Sequence, residues 1–148
     1  YNLTDMAAAI GRVQLLRASE LLEKRRAVVR RYIAAFNGLD FLRVPEWSEA
    51  HAWTLFIVRI QEKKLSIGRD ELITELQRRG IGTSVHFIPL HTMSYYRDKY
   101  GLAPEDFPVA LRCYRTAVSL PLSASLTEEE VERVIQAVTE IGAEHRRR

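Results

Sequence analysis

The chain has 148 residues, of which 47% are hydrophobic and 28% charged, with a formal net charge of +3. A chain of this size can bury roughly 68–70% of its unfolded surface, so the composition indicates a folded globular domain rather than a disordered segment. We expect neither a membrane span nor a secretory leader, and the single cysteine, Cys113, excludes an intramolecular disulfide. These features predict a cytoplasmic protein, and the mild charge does not indicate nucleic-acid binding.

The first predicted element is one long helix from Thr4 to about Phe36. Apolar residues recur there mostly every three or four positions, Thr4 suits the N-cap, and Asn37-Gly38 suits the end. At 1.5 Å per residue the helix would be about 45 Å long, which is long for a small domain. Its first turns, residues 6–11, carry almost no bulk or charge, and the chain opens on Tyr1 rather than Met. We therefore expect a piece of a larger protein, with these turns buried against a missing partner.

Shorter strands and helices alternate after this helix. The patterns predict strands at 52–60, 81–88 and 118–122, helices at 69–79 and from about 104 to 116, and an irregular or briefly helical segment up to residue 100. Thr127 and Glu130 form a T-x-x-E capping box that starts a final helix, followed by a tail from His145 that we expect to fray. The order predicts an α/β protein: a long connecting helix, 1–38, and a small C-terminal domain, 39–148, with helices covering a small sheet.

The most distinctive motif is the stretch 80–91, where a predicted strand runs into a proline loop flanked by His86 and His91. Polar residues at strand ends often bind ligands. Two histidines five apart do not match a helical zinc pair, and no cysteine or third histidine lies near them, so no metal site is predicted. Each histidine either contacts a substrate or is satisfied within the fold. Tyr95 and Tyr96 follow, and their phenols either hydrogen-bond a sugar or fill the core.

Two other features have simpler interpretations. Trp53, at the start of the first predicted strand, is assigned to sheet packing, and the basic run from Lys24 to Arg31 is interpreted as a solvated helix face. The sequence lacks G-x-G-x-x-G, P-loop, G-x-S-x-G and H-E-x-x-H motifs, so no freestanding enzyme is visible.

Several segments together resemble the sugar aminotransferases of the DegT/DnrJ/EryC1/StrS family, which have the aspartate aminotransferase fold. They are YNLTDMAAAIG at 1–11, HAWTLF at 51–56, the stretch 80–91 with YYR at 95–97, and SLPL at 119–122 with the following helix cap. The resemblance implies a fold type I enzyme dependent on pyridoxal phosphate (PLP), whose small C-terminal domain has a mostly antiparallel sheet. It also implies that the PLP-binding lysine lies in a large N-terminal domain. None of the four lysines here falls in the family's lysine segment, so we predict no catalytic residue and no activity for the chain alone.

The resemblance also assigns candidate site residues. In similar enzymes the active site lies at a homodimer interface, where the segment matching Tyr1 and Asn2 approaches the cofactor phosphate of the other subunit. For Asn2 the alternative is simple capping of the helix. The loop in relatives lines the nucleotide-sugar pocket, which makes His86, His91 and Tyr95 candidate substrate contacts.

Within the family, the opening segment and HAWTLF look closest to the enzymes that form UDP-4-amino-4-deoxy-L-arabinose for lipid A modification. Those enzymes transfer an amino group from glutamate to a UDP-4-keto-pentose. The loop 88–91 looks more like that of the general family, including enzymes that aminate 4-keto-6-deoxy sugars, so the sugar stays open. The alternative function is a non-catalytic binding or assembly module derived from the small domain.

Overall fold

The computed structural model describes residues 2–147, which form six α-helices and one three-stranded sheet. The helices are α1 (Asp5–Leu16), α2 (Ala18–Phe36), α3 (Arg69–Arg78), α4 (Ser94–Tyr100), α5 (Pro108–Thr116) and α6 (Glu128–Glu144). The strands are β1 (Leu42–Arg43), β2 (Phe56–Ile60) and β3 (Ala117–Leu120), and single 3-10 turns occupy Leu90–Thr92 and Pro104–Asp106. The predicted α/β class with a small sheet and covering helices is confirmed.

The predicted long helix is two helices that meet at Arg17. Thr4 caps α1 as expected, since its side chain accepts a hydrogen bond from the backbone N–H of Ala7 at 3.3 Å. At Arg17 the backbone has φ −93° and ψ −2°, at the edge of the right-handed helical region, and its N–H is shared between the carbonyls of Val13 at 3.3 Å and Gln14 at 3.1 Å. The prediction of one continuous helix is therefore wrong at this residue.

The three strands form an antiparallel sheet in the order β1-β2-β3. Along β2, buried residues alternate with half-buried ones, because successive side chains point to opposite faces. Phe56, Val58 and Ile60 face the core. On the opposite face, Arg59 donates a hydrogen bond from Nη1 to the sulfur of Cys113 at 3.2 Å, which places α5 over that side. Cys113 itself is half-buried.

One hydrophobic core joins the second long helix to the sheet. Val29, Tyr32 and Phe36 of α2 lie in the same cluster as the inner face of the sheet and the apolar faces of α3 and α6. The Tyr32 hydroxyl donates to the Pro121 carbonyl at 3.0 Å, across the end of β3. The division of the chain at residue 38 stays a prediction, and the core shows that α2 packs with the residues that follow it.

Buried Arg69 fixes the start of β3. From the first turn of α3, its Nη1 donates to the carbonyls of Tyr114 at 3.2 Å and Ala117 at 3.3 Å. Both acceptors belong to the junction between α5 and β3. Burying a guanidinium is costly unless its donors are satisfied, so these bonds both stabilise Arg69 and hold the strand.

Several sequence predictions need correction. The strand predicted at 52–60 begins only at Phe56, and the strand predicted at 81–88 is reduced to one backbone bridge at Ser84. Strand β1 was not predicted. The tail does not fray up to Arg147, whose N–H donates to the Lys64 carbonyl at 2.9 Å, and Arg146 pairs with Asp40 at 3.0 Å.

The first helix, α1, contains no buried residue. Its large apolar side chains are exposed: Met6, Ile10, Val13, Leu15 and Leu16. No part of residues 2–147 therefore buries the first turns of this helix, so their burial against a missing partner stays a prediction. Between those residues, no helix combines the length and the apolar character needed to cross a membrane.

Candidate functional site

His86 is held against the last strand of the sheet. Two residues earlier, Ser84 bridges to Ser119 of β3, with N–H to carbonyl distances of 3.2 and 2.8 Å in the two directions. His86 Nδ1 then lies 2.7 Å from the Ser119 hydroxyl oxygen. Ser119 is buried within an otherwise apolar strand, so its hydroxyl needs a partner, and His86 provides it.

This bond leaves Nε2 of His86 available. If Nδ1 accepts the Ser119 proton, a neutral ring carries its proton on Nε2 and donates there; in the other tautomer Nε2 accepts. In both cases the ring is fixed at one nitrogen and can bind a polar group at the other. The side chain is half-buried, so a ligand can reach it.

His91 has a different setting. It is only 7% exposed, and its Nε2–H donates to the Pro104 carbonyl at 3.1 Å. Its ring lies 4.8 Å, between centroids, from that of Phe107. These contacts join the turn before α4 to the turn before α5. The satisfied-histidine alternative therefore describes His91 well, and a substrate contact by His91 stays a prediction.

An open apolar surface surrounds the loop. Tyr95, in the first turn of α4, is 63% exposed, and its hydroxyl accepts a hydrogen bond from Lys99 Nζ at 3.1 Å. It therefore does not fill the core of residues 2–147. The other large exposed side chains of this region are Phe87, Ile88, Leu90, Met93, Tyr96, Tyr100 and Phe107. Exposed apolar side chains at this density are typical of a surface that another surface or a ligand covers.

The predicted phosphate contact lies at the other end of the chain. Tyr1 lies outside the described residues. Asn2 is exposed and precedes the cap by two positions, and Thr4 performs the capping. The capping alternative for Asn2 is thus taken by another residue, and its side-chain amide forms no hydrogen bond to any residue in 3–147.

The lysines do not form a PLP site within residues 2–147. Lys24 pairs with Glu20 at 2.6 Å on the surface of α2, and Lys64 pairs with Asp40 at 3.3 Å. Lys63 and Lys99 are also exposed. A lysine that reacts with carbonyl groups needs a lowered pKa from burial or a neighbouring cation in a pocket. All four lysines are exposed to solvent, so they do not fit a covalent PLP site.

Sequence reasoning missed the role of Ser119 and placed Trp53 in a strand that it does not join. Ser119 was not singled out, although a serine inside an apolar strand is a signal for a buried hydrogen bond. Trp53 is buried as predicted but is not in the sheet. Its φ is +48°, and its backbone N–H donates to Nδ1 of His51 at 2.8 Å, so residue 53 does not join β2. Its ring stacks on that of Trp47.

Solved structures of aminotransferases contain this arrangement of helices around a small antiparallel sheet. One is TlmJ from Streptoalloteichus hindustanus, with a TM-score of 0.82 and 32% identity, over 95% of this chain and 37% of that chain. Another is Spr1654 from Streptococcus pneumoniae in its PLP form, with a TM-score of 0.87 and 30% identity, over 97% of this chain and 36% of that one. The chain thus has the fold of one part of these aminotransferases.

The family follows from the sequence match. Residues 1–139 match the DegT/DnrJ/EryC1/StrS aminotransferase family, and the chain belongs to it. A curated relative is the spore coat polysaccharide biosynthesis protein SpsC of Bacillus subtilis, 39% identical over 143 residues, which are 95% of this chain and 37% of SpsC. The chain thus spans between a third and two-fifths of the length of these relatives.

Proposed function

We propose that the chain is the C-terminal, substrate-facing part of a nucleotide-sugar aminotransferase of fold type I. The complete enzyme transfers an amino group from glutamate to a UDP-4-keto sugar, and this chain is inactive alone. One observation carries the proposal: the family loop holds His86 by a 2.7 Å bond to buried Ser119 while leaving its second ring nitrogen available. A neutral imidazole fixed in this way suits a sugar hydroxyl or a diphosphate oxygen.

Each part of the proposed substrate surface has its own role. His86 binds the sugar nucleotide through Nε2, Tyr95 offers a phenol and an exposed ring to the same ligand, and His91 acts mainly as a positioning residue through Pro104. Asn2 donates to the cofactor phosphate, together with Tyr1. PLP, when bound to a lysine outside this chain, serves as the electron sink of the transamination.

The choice of sugar rests on the sequence. SpsC is named for polysaccharide biosynthesis, which supports a sugar substrate here. The segment HAWTLF supports the pentose that gives UDP-4-amino-4-deoxy-L-arabinose, and hence lipid A modification. The complete enzyme is a cytoplasmic homodimer, and the exposed apolar side chains of α1 support assembly, since the PLP domain or the second subunit would cover them.

The test uses an enzyme that contains both this chain and the PLP-binding lysine. We expect His86→Ala to raise the KM for the keto sugar about tenfold, as for a lost hydrogen bond of about 1.4 kcal/mol, and to leave the half-reaction with glutamate nearly unchanged. His145→Ala is the matched control, because His145 lies at the end of α6, away from the loop. An unchanged KM in a folded His86→Ala enzyme would contradict the proposal.

A further inference from the structure

The outer face of the sheet carries two arginines directly opposite each other. In the register between β1 and β2, Arg43 pairs with Arg59. Residues paired in this way point to the same face, with Cβ atoms about 4.5–5.5 Å apart, and like charges at such positions are destabilising. Neither arginine forms an ion pair with any residue in 2–147. The sheet thus keeps an unfavourable contact that no ion pair among residues 2–147 offsets.

The two arginines line a groove with further positive charge. The groove has a volume of about 400 Å³, and its polar lining also includes Lys63, Arg112, Glu62 and Thr116. Four cationic side chains therefore face one carboxylate. The neighbouring Lys64 forms an ion pair with Asp40 at 3.3 Å, whereas Lys63 forms no ion pair with a described residue. The positive charge of Lys63 in the groove is therefore not neutralised by an ion pair.

One of the arginines is already positioned. Arg59 is half-buried, and its Nη1 is anchored by the 3.2 Å hydrogen bond to the sulfur of Cys113 on α5. The remaining N–H groups of its guanidinium form a rigid donor set, which matches the oxygens of a phosphate. Arg43 across the strands and Arg112 on α5 can bind the same anion from two other directions.

We infer that this groove binds a small phosphate-bearing anion, with a diphosphate bridging Arg43 and Arg59. The site differs from the one proposed around His86. Ser84 lies beyond β3 and Arg43 lies on β1, so three strand spacings, about 14 Å, separate them. The bound anion turns the unfavourable arginine pair into two charge-assisted contacts.

The probe is inorganic pyrophosphate, titrated calorimetrically into the 148-residue chain at low ionic strength, with UDP in a parallel titration. We expect one pyrophosphate per chain. Binding of UDP at the same stoichiometry supports a nucleotide as the source of the anion if Arg43→Glu weakens it, because UDP held at His86 would not respond to that variant. Binding of pyrophosphate without UDP supports a free inorganic anion. No binding of either at millimolar concentration would overturn the inference.

Two variants separate the groove from general charge. Arg43→Glu should weaken pyrophosphate binding at least tenfold and, without ligand, raise the Tm by about 1–3 °C, because it replaces a like-charge pair with an attractive one. Arg133→Glu makes the same charge change on the exposed face of α6, outside the groove, and should leave the Kd within about twofold. Equal weakening by both variants would show non-specific attraction and refute the site. Arg112→Gln, on the surface of α5, provides a second groove variant that leaves the strands intact and should also weaken binding.

Discussion

Gly142 on α6 tests the packing of the core most sharply. A Cβ atom at this position would lie 2.0 and 2.2 Å from two ring carbons of Phe41. Carbon atoms in contact normally lie about 3.5–4.0 Å apart, so Gly142→Ala requires the ring to move by roughly 1.5 Å. Phe41 is itself buried, only 4% exposed, and has little room to move.

Two opposing contributions decide the sign of this substitution. Alanine in a helix is favoured over glycine by about 1 kcal/mol. Overpacking a core costs about 1–3 kcal/mol and occasionally more, and expelling a phenylalanine altogether costs about 3–5 kcal/mol. Because the overlap is with a buried ring, the steric cost wins. We expect a net loss of about 1–3 kcal/mol, or roughly 3–10 °C in Tm.

Thermal unfolding followed by circular dichroism measures this effect. Gly11→Ala is the matched control, since Gly11 also lies in a helix but a Cβ atom there would have no neighbouring atom within 4 Å. The control should not lower the Tm and should slightly increase helicity. Adding Phe41→Leu to Gly142→Ala should recover part of the loss, as residues in contact do not act additively. A Gly142→Ala variant as stable as the wild type would refute the packing described here.

Two further predictions concern buried hydroxyls. Burial raises the pKa of Tyr32 above its ordinary value near 10. The stability that the neutral phenol contributes is therefore complete below about pH 10 and is lost above it, where the unfolded chain ionises. In that range the free energy of unfolding should fall by about 1.4 kcal/mol per pH unit. Tyr32→Phe should cost about 1 kcal/mol at pH 7, through the lost bond to Pro121, and should remove this alkaline slope in denaturant titrations; an unchanged slope would contradict the assignment. Ser119→Ala should lower the free energy of unfolding by about 0.5–1.5 kcal/mol and release the His86 ring, which NMR would detect as narrower ring-proton signals. The control Ser125→Ala, in the exposed turn before α6, should change neither the stability nor these signals. Identical His86 signals in wild type and Ser119→Ala would show that the bond does not position the ring.

Local sequence signals were sufficient to predict the helices, whose caps and hydrogen bonds involve residues close in sequence. The capping box at Thr127 and the apolar period after it predicted α6, and the structure gives the helix Glu128–Glu144. The predicted end of the helix at 69–79 was also nearly correct: α3 ends at Arg78, and Gly80 follows with a φ of +74°, which suits a residue without Cβ. The class and the family likewise followed from short motifs.

Strand assignments failed where apolar residues serve the core without joining a ladder. Ile81 is buried, but its N–H donates to the Leu76 carbonyl at 2.9 Å and only closes the end of α3. At Trp53, a side-chain bond to His51 competes with the strand. An alternating apolar pattern does not reveal either hydrogen bond, since each depends on which acceptor lies nearest to the backbone N–H in the folded chain.

The candidate site could be predicted only in part. The motif identified the loop and its two histidines, but their different settings depend on partners that are distant in sequence. Ser119 follows His86 by 33 residues, and Pro104 follows His91 by 13. To predict that Arg43 lies opposite Arg59, one must know how β1 aligns with β2. Strand β1 has only two residues, which is too short to give a sequence pattern.

The most direct measurement of the central claim is borohydride trapping of PLP on the 148-residue chain, followed by peptide mass spectrometry. If the chain is a substrate-facing part without the cofactor lysine, PLP should give only weak, scattered labelling of Lys24, Lys63, Lys64 and Lys99, all of which lie on the surface. The same treatment of an enzyme that also contains the PLP domain should label one lysine stoichiometrically, outside this chain. Stoichiometric labelling of a single lysine among these four, with the visible absorbance of lysine-bound PLP, would contradict the account.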